Sequence, residues 1–296
     1  MREAFYDTNG ITLNVREYPG DGPTVMLLPG LTANACFFNS LIDAGLAPRH
    51  RVVAVNLRGR GRSEKPPGDY SMAAHAADVL GLMDKLKIDQ ALLGGHSYGG
   101  LLTYYLAANH PEHVAKAVVL DAPAEVDPTV LEQIRPALSR LEKVYPTWDE
   151  FIDEMKSLPY YDGWWDPGIE EYFRADVTRH VDGRCRPRSH ALHMEMAVQG
   201  TLEIDWPATV ARITCPTLLV RCTDPFGPAG LPPLLPADAA QRTVDLFTDG
   251  RLVEVPGNHM TAFFGESAGT LAPVSYTHLR AHETYITISY GGVCLK

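Results

Sequence analysis

The chain has 296 residues, of which 45% are hydrophobic and 21% charged, a composition typical of a soluble globular protein with a sizeable core. Its 26 basic and 36 acidic side chains give a net charge of −10, which argues against nucleic acid or an anionic membrane as the main partner. The N-terminus has no apolar signal region, and the chain has no run of about 18 apolar residues. These features predict a soluble, cytoplasmic protein.

The first third of the chain predicts strands joined by tight turns. Residues 5–18 should form a β-hairpin around Asn9-Gly10, a favoured two-residue turn. Two short apolar strands are expected at residues 24–28 and 51–57. The Gly-rich loop that follows, residues 58–63, does not fit a phosphate-binding pattern and is interpreted as a structural turn.

A helix is predicted over residues 71–87, with Ser71 as its N-cap. Its apolar positions recur at helical spacing, and His75 lies on this stripe. We therefore interpret His75 as a packed core residue rather than a ligand. A further strand is expected at residues 116–120 and ends at Asp121. Strands that alternate with helices indicate a mostly parallel sheet covered on both faces.

The stretch from residue 91 to residue 111 contains the strongest functional signal. An apolar strand runs into Gly95-His96-Ser97-Tyr98-Gly99, which fits the pattern G-x-S-x-G, and an apolar helix follows until Pro111. A sharp strand-to-helix turn places its central residue at the apex in a strained backbone conformation. This context predicts that Ser97 is a nucleophile and not a solvated turn residue.

The alternation of strands and helices stops between residues 123 and 206, where helix formers, prolines and aromatic residues dominate. We interpret this segment as a helical cap, or lid, whose aromatics mostly pack its own core while a few line an apolar pocket. His190, His193 and Glu195 lack the spacing of a metal site, and the sequence predicts no metal or other cofactor.

Strands resume at residues 215–222, before Asp224, and at residues 251–255, before His259. The last segment, residues 275–296, has no sustained helical stripe and is similar to translated vector or adapter DNA. We expect it to be non-native or poorly ordered and omit it from functional reasoning.

The predicted organisation is a core of residues 1–122 and 207–274 with a cap at 123–206. The five scattered cysteines, without C-x-x-C, are expected to be free thiols.

With its serine turn and later Asp and His, the chain resembles the α/β-hydrolase superfamily over about residues 5–274. The resemblance implies a triad in the order Ser, acid, His, which here corresponds to Ser97, Asp224 and His259. Asp121, also at a strand end, is the alternative acid. The oxyanion hole would use the backbone N–H groups of Tyr98 and Leu31, although Pro29 stands where the family usually has histidine.

This resemblance predicts a serine hydrolase acting on a small-molecule carboxylic ester or lactone. More specific alternatives are an N-acyl homoserine lactone hydrolase, an enol-lactonase, a C–C bond hydrolase and a perhydrolase. A poorly catalytic ligand-binding module and a cofactor-independent dioxygenase remain alternatives from other classes. The sequence does not indicate the oligomeric state.

Overall fold

The computed structural model describes residues 1–126, 130–227 and 231–271. Within these residues, one sheet contains eight strands: β1 Arg2–Thr8, β2 Ile11–Tyr18, β3 Gly22–Leu28, β4 His50–Val55, β5 Ala91–His96, β6 Val114–Leu120, β9 Thr217–Cys222 and β10 Gly250–Val255. Their order across the sheet is β1-β2-β4-β3-β5-β6-β9-β10. Strands β1 and β2 pair antiparallel, as do β2 and β4, and the other neighbours are parallel. The mostly parallel sheet is the one predicted.

The N-terminal hairpin forms around the predicted turn. Asn9 and Gly10 have φ angles of 46° and 76°, and Thr8 pairs with Ile11 across them. Positive φ at both central residues is what a type I′ turn requires, and asparagine and glycine tolerate it.

The helices cover both faces of the sheet. The described α-helices are α1 Asn39–Leu41, α2 Ala47–Arg49, α3 Met72–Leu86, α4 Tyr98–Asn109, α5 Val130–Ser139, α6 Trp148–Lys156, α7 Pro167–Asp176, α8 Ala191–Leu202, α9 Trp206–Val210 and α10 Ala237–Asp245. Residues 265–271 are also helical. Ser71 caps α3 as predicted, because its hydroxyl accepts a hydrogen bond from the Ala74 N–H at 3.2 Å.

Two apolar clusters are separated by the sheet. In β3, Val25 and Leu27 join one cluster, whereas Met26 and Leu28 join the other, because successive strand residues point to opposite faces. Helices α3 and α4 contribute to the second cluster. The sheet is therefore buried on both faces.

Between β6 and β9 the chain forms helices α5 to α9 and a two-stranded antiparallel ribbon, β7 Val177–Arg179 and β8 Cys185–Pro187. The sequence did not predict this ribbon, because its strands are only three residues long and contain arginine and proline. Several aromatics of this segment are buried in the first apolar cluster, among them Phe151, Tyr161 and Phe173. The division into core and cap stays a prediction.

No described helix is long and apolar enough to cross a membrane. The four cysteines in the described chain, Cys36, Cys185, Cys215 and Cys222, are free, whereas Cys294 lies outside it. The segment expected to be non-native or poorly ordered, residues 275–296, also lies outside the described residues.

Candidate active site

Ser97 lies at the turn between β5 and α4 with φ 54° and ψ −117°, a region that non-glycine residues rarely adopt. The turn is closed by small residues. A Cβ at Gly95 would lie 2.0 Å from the Gly99 carbonyl oxygen, and one at Gly99 would lie 2.0 Å from the carbonyl oxygen of Leu28. Only glycine fits at either position, so the G-x-S-x-G pattern has the backbone role expected from the sequence.

The neighbouring strand ends in a second residue with unusual backbone geometry. The Ser97 N–H donates to the Leu120 carbonyl at 3.0 Å, which places Asp121 beside the serine turn. Asp121 has φ 54°, and its N–H donates to the Val220 carbonyl at 2.7 Å. These backbone bonds fix Asp121 between the ends of β5 and β9.

Asp121 is hydrogen-bonded to His259. The His259 Nδ1 lies 2.8 Å from Asp121 Oδ2, while Asp121 Oδ1 accepts a hydrogen bond from the Cys222 N–H at 3.0 Å. Asp121 is completely buried, and the His259 side chain is 7% exposed. Because a carboxylate oxygen accepts, the Nδ1–H group donates this bond, and in this tautomer Nε2 has a lone pair with which it can act as a base.

The expectation that Asp224 orients His259 is therefore corrected. Asp224 N–H donates to the Gly257 carbonyl at 3.1 Å, and its Oδ1 accepts from the Thr223 hydroxyl at 3.2 Å. The Nδ1 atom has a single hydrogen to donate, and Asp121 receives it. The physical reason is local: the Cys222 N–H holds Asp121 Oδ1 while Oδ2 faces His259, whereas the Asp224 carboxylate accepts from the neighbouring Thr223 hydroxyl.

The loop that carries His259 is braced by its neighbours. Gly257 has φ 97°, and Asn258 Oδ1 accepts from the N–H groups of Met260 and Thr261 at 3.0 and 3.1 Å. The Asn258 Nδ2 group donates to the Tyr160 carbonyl at 2.7 Å. This bond joins the histidine loop to the segment between β6 and β9.

His96, for which no role was predicted, also holds this loop. Its Nε2 donates to the His259 carbonyl at 2.8 Å, its ring stacks on Phe37 at 4.4 Å, and its Nδ1 has no hydrogen-bond partner among the described residues. Burial, followed by the adjacent His259, lowers the pKa of His96 well below its usual value, so the ring is neutral. The only sequence signal was its position next to the serine.

The Ser97 hydroxyl and the His259 ring are not hydrogen-bonded to each other, although the residue before Ser97 contacts His259. The rings of His96 and His259 are 4.5 Å apart, and the partly buried Ser97 hydroxyl makes no hydrogen bond to any described residue. Bonds between nucleophile and base are often long in unliganded enzymes and shorten when substrate binds. The arrangement therefore brings together Ser97, His259 and Asp121, with Asp224 outside the set.

The two N–H groups expected to form the oxyanion hole lie on segments that meet at Ser97. Tyr98 is the first residue of α4, and Leu31 follows Gly30 after the end of β3. A Cβ at Gly30 would lie 3.5 Å from the Ser97 Cβ and 3.0 Å from His96 Nδ1, so this loop packs directly against the serine turn. Neither N–H donates a hydrogen bond within the described chain.

Aromatic side chains cover His259. The Phe226 ring lies 5.2 Å from the His259 ring, and the Tyr160 ring lies 4.9 Å from Phe226. Cys222, whose N–H donates to Asp121, is not a competing nucleophile. Burial and the Asp121 carboxylate raise the pKa of its thiol well above the usual value. The site combines one buried acid–base pair with an apolar surrounding.

Comparison with known proteins identifies the family. Residues 23–191 match the family model described as alpha/beta hydrolase fold. The chain belongs to the α/β-hydrolase family. A 2-(acetamidomethylene)succinate hydrolase of Mesorhizobium japonicum is 31% identical over 259 residues, 85% of this chain and 86% of the relative. A putative carbamate hydrolase, RutD, of a Caulobacter species is 29% identical and matches 81% of this chain and 84% of its own length.

Solved structures agree with this assignment to the α/β hydrolases. The crystal structure of E-2-(acetamidomethylene)succinate hydrolase has a TM-score of 0.82 and 26% identity, and the match covers 95% of this chain and 99% of that one. The enol-lactonase of Burkholderia xenovorans has a TM-score of 0.73 over 93% of this chain and 99% of its own. At 22% identity, the latter shows the shared fold alone.

The histidines considered for metal binding form aromatic contacts. His193 stacks on Tyr70 at 4.5 Å, and the His190 ring lies 5.6 Å from His193. Among the described residues, no group of three or more His, Cys, Asp and Glu side chains is arranged to hold a metal ion.

Proposed function

We propose that this α/β hydrolase cleaves carboxylic esters or lactones through an acyl-enzyme intermediate on Ser97, with His259 as general base and Asp121 as the orienting acid. The observation that carries the proposal is the 2.8 Å bond between His259 Nδ1 and buried Asp121 beside the serine turn. A serine hydroxyl is a weak nucleophile near neutral pH and needs such an oriented base.

In the first half-reaction, Ser97 Oγ attacks the substrate carbonyl carbon while His259 Nε2 takes the hydroxyl proton. The carbonyl oxygen becomes an oxyanion and accepts hydrogen bonds from the N–H groups of Leu31 and Tyr98. Collapse of this intermediate breaks the bond to the leaving alkoxide, which receives the proton from His259. The Asp121 carboxylate stabilises the imidazolium between these two transfers.

In the second half-reaction, His259 Nε2 takes a proton from water, whose oxygen attacks the acyl-enzyme. The second tetrahedral intermediate releases the carboxylic acid as the proton returns to Ser97 Oγ. A lactone follows the same path, except that its alcohol remains attached to the acyl group. The aromatic rings of Phe226 and Tyr160 near His259 favour an apolar group in the substrate.

A second candidate is hydrolysis of an acyl group bound to nitrogen, as in 2-(acetamidomethylene)succinate. This candidate is favoured by the similarity to the hydrolase named for that compound, which spans 85% of this chain and 86% of the relative. The same serine attack applies to an amide carbonyl, with a nitrogen leaving group that His259 must protonate.

The proposal is tested with a panel that contains nitrophenyl esters of several chain lengths, simple and N-acyl homoserine lactones, and 2-(acetamidomethylene)succinate. The wild-type protein should turn over at least one ester or lactone, and Ser97→Ala should abolish that activity. Turnover retained by Ser97→Ala would reject the nucleophile, whereas activity on the succinate compound alone would favour the second candidate.

A further inference from the structure

Arg60 contacts both residues assigned to the oxyanion hole. Its side chain is completely buried in the Gly-rich loop after β4. The Nε group donates to the Leu31 carbonyl oxygen at 2.8 Å, and the guanidinium carbon lies 5.0 Å from the centre of the Tyr98 ring. Leu31 and Tyr98 belong to separate segments of the chain, and this one side chain links them.

The rest of the guanidinium is held by buried acceptors. Arg60 Nη1 donates to the Arg58 carbonyl at 2.6 Å and to His75 Nε2 at 2.7 Å. Because arginine only donates, His75 Nε2 must be unprotonated, and its Nδ1–H then donates to the Ser71 carbonyl at 2.8 Å. Burial and the charge of Arg60 both lower the pKa of His75 well below its usual value. Arg60 is therefore fixed in one orientation by a neutral histidine.

The charge of Arg60 is not balanced by a bonded carboxylate. The adjacent Arg58 forms a bidentate pair with Asp78 at 2.6 Å, whereas no salt bridge to Arg60 is found in the described chain. The Arg60 Nη2 atom is buried without a hydrogen-bond partner there. Burying an unpaired charge is costly, so its retention beside a reacting centre points to a use for the charge.

We propose that Arg60 is a positioning residue that fixes the Leu31 loop relative to the start of α4 and places an unpaired positive charge beside the oxyanion hole. This inference rests on the proposed function. A fixed positive charge in a buried site stabilises negative charge that develops nearby, and it needs no reorganisation during the reaction. The loss of Arg60 should therefore weaken transition-state binding more than substrate binding.

The test compares Arg60→Gln with Arg60→Lys and with Arg62→Gln as control. Arg62 lies in the same loop, is half exposed and pairs with Glu3 at 2.7 Å. With a nitrophenyl ester, Arg60→Gln should lower kcat on the order of 10²-fold with KM within about threefold. Affinity for a trifluoromethyl ketone, which forms a hemiketal oxyanion with Ser97, should fall by the same factor, whereas affinity for the matching methyl ketone, which stays an uncharged carbonyl, should not.

Arg60→Lys keeps the charge but not the planar fork, so it should restore part of kcat. Arg62→Gln should leave kcat and ketone affinity at the wild-type values. The inference is overturned if Arg60→Gln retains wild-type kcat, or if the affinities for the trifluoromethyl ketone and the methyl ketone fall together. It is also overturned if neither Arg60 variant folds, because the role is then structural. Activity that is lost in Ser97→Ala but unchanged in Arg60→Gln rejects this inference alone, whereas activity retained by Ser97→Ala rejects the proposed function.

Discussion

Replacing Asp121 by asparagine changes one group at the centre of the proposed triad and leaves its shape intact. Asparagine tolerates the φ of 54° found at this position, and its side-chain oxygen can still accept the hydrogen bond from the Cys222 N–H. The amide nitrogen then faces His259 Nδ1. Because that nitrogen donates, Nδ1 must become the acceptor and Nε2 must carry the hydrogen. The imidazole is then in the tautomer that cannot accept the proton of Ser97.

The expected loss is large. Converting the orienting carboxylate of a serine triad to an amide lowers kcat about 10⁴-fold, which corresponds to about 5.5 kcal/mol of transition-state stabilisation at 1.36 kcal/mol per tenfold change. Asp224→Asn is the matched control, because it makes the same chemical change one strand away. Asp224 is bonded to Thr223 and has no bond to His259, so its replacement should alter kcat by about twofold or less.

Both variants are assayed with a nitrophenyl ester at saturating concentration, after circular dichroism has shown that they melt cooperatively. Asp121→Asn that keeps more than about a tenth of wild-type kcat would refute the role of Asp121. A loss in Asp224→Asn as large as that in Asp121→Asn would instead show that the two carboxylates act together.

Three further predictions follow from the packing and protonation of the site. Gly99→Ala should yield no folded protein, because the new Cβ would lie 2.0 Å from the Leu28 carbonyl oxygen at the end of β3. Gly269→Ala is the control: its new Cβ would have no atom within 4 Å, so the change should be neutral or stabilising in thermal melts. Gly30→Ala should lower kcat by up to about tenfold, because its new Cβ would lie 3.0 Å from His96 Nδ1 and the oxyanion loop must shift by a few tenths of an ångström; wild-type kcat would argue against it. His75 and His96 are neutral in the fold but titrate near pH 6.5 when unfolded, so the unfolded chain binds more protons below that pH. The free energy of unfolding in urea should then fall by about 1.4 kcal/mol per histidine for each pH unit below 6.5, and replacing either by glutamine should reduce this slope.

The local features of the serine turn were predictable because they depend on residues adjacent in sequence. The glycines around Ser97, the strand before it and the helix after it are set by local backbone geometry, and the structure has them as expected. The Asn9-Gly10 hairpin and the Ser71 cap were found for the same reason.

The choice of acid was not predictable in the same way, because it depends on how distant strands are arranged. Both Asp121 and Asp224 follow apolar strands, and the sequence alone does not decide which reaches His259. The position of β6 directly beside β5 brings Asp121 next to the serine turn. The strand order does not decide the choice either, because β9, which precedes Asp224, lies directly beside β10, which precedes His259.

The supporting residues His96 and Arg60 were missed because their roles arise from tertiary contacts. Arg60 looked like part of a polar turn, yet its side chain is completely buried against Leu31 and Tyr98. A buried arginine in a Gly-rich loop gives no periodic signal, since hydrophobic patterning detects only apolar residues.

The central claim, that Ser97 is the nucleophile activated by His259 and Asp121, is tested most directly by covalent labelling with a fluorophosphonate followed by peptide mapping. The wild-type protein should gain one adduct per chain, located on Ser97, and Asp121→Asn should react far more slowly. An adduct on another residue, or an unlabelled Ser97 in a protein that still hydrolyses esters, would contradict the account.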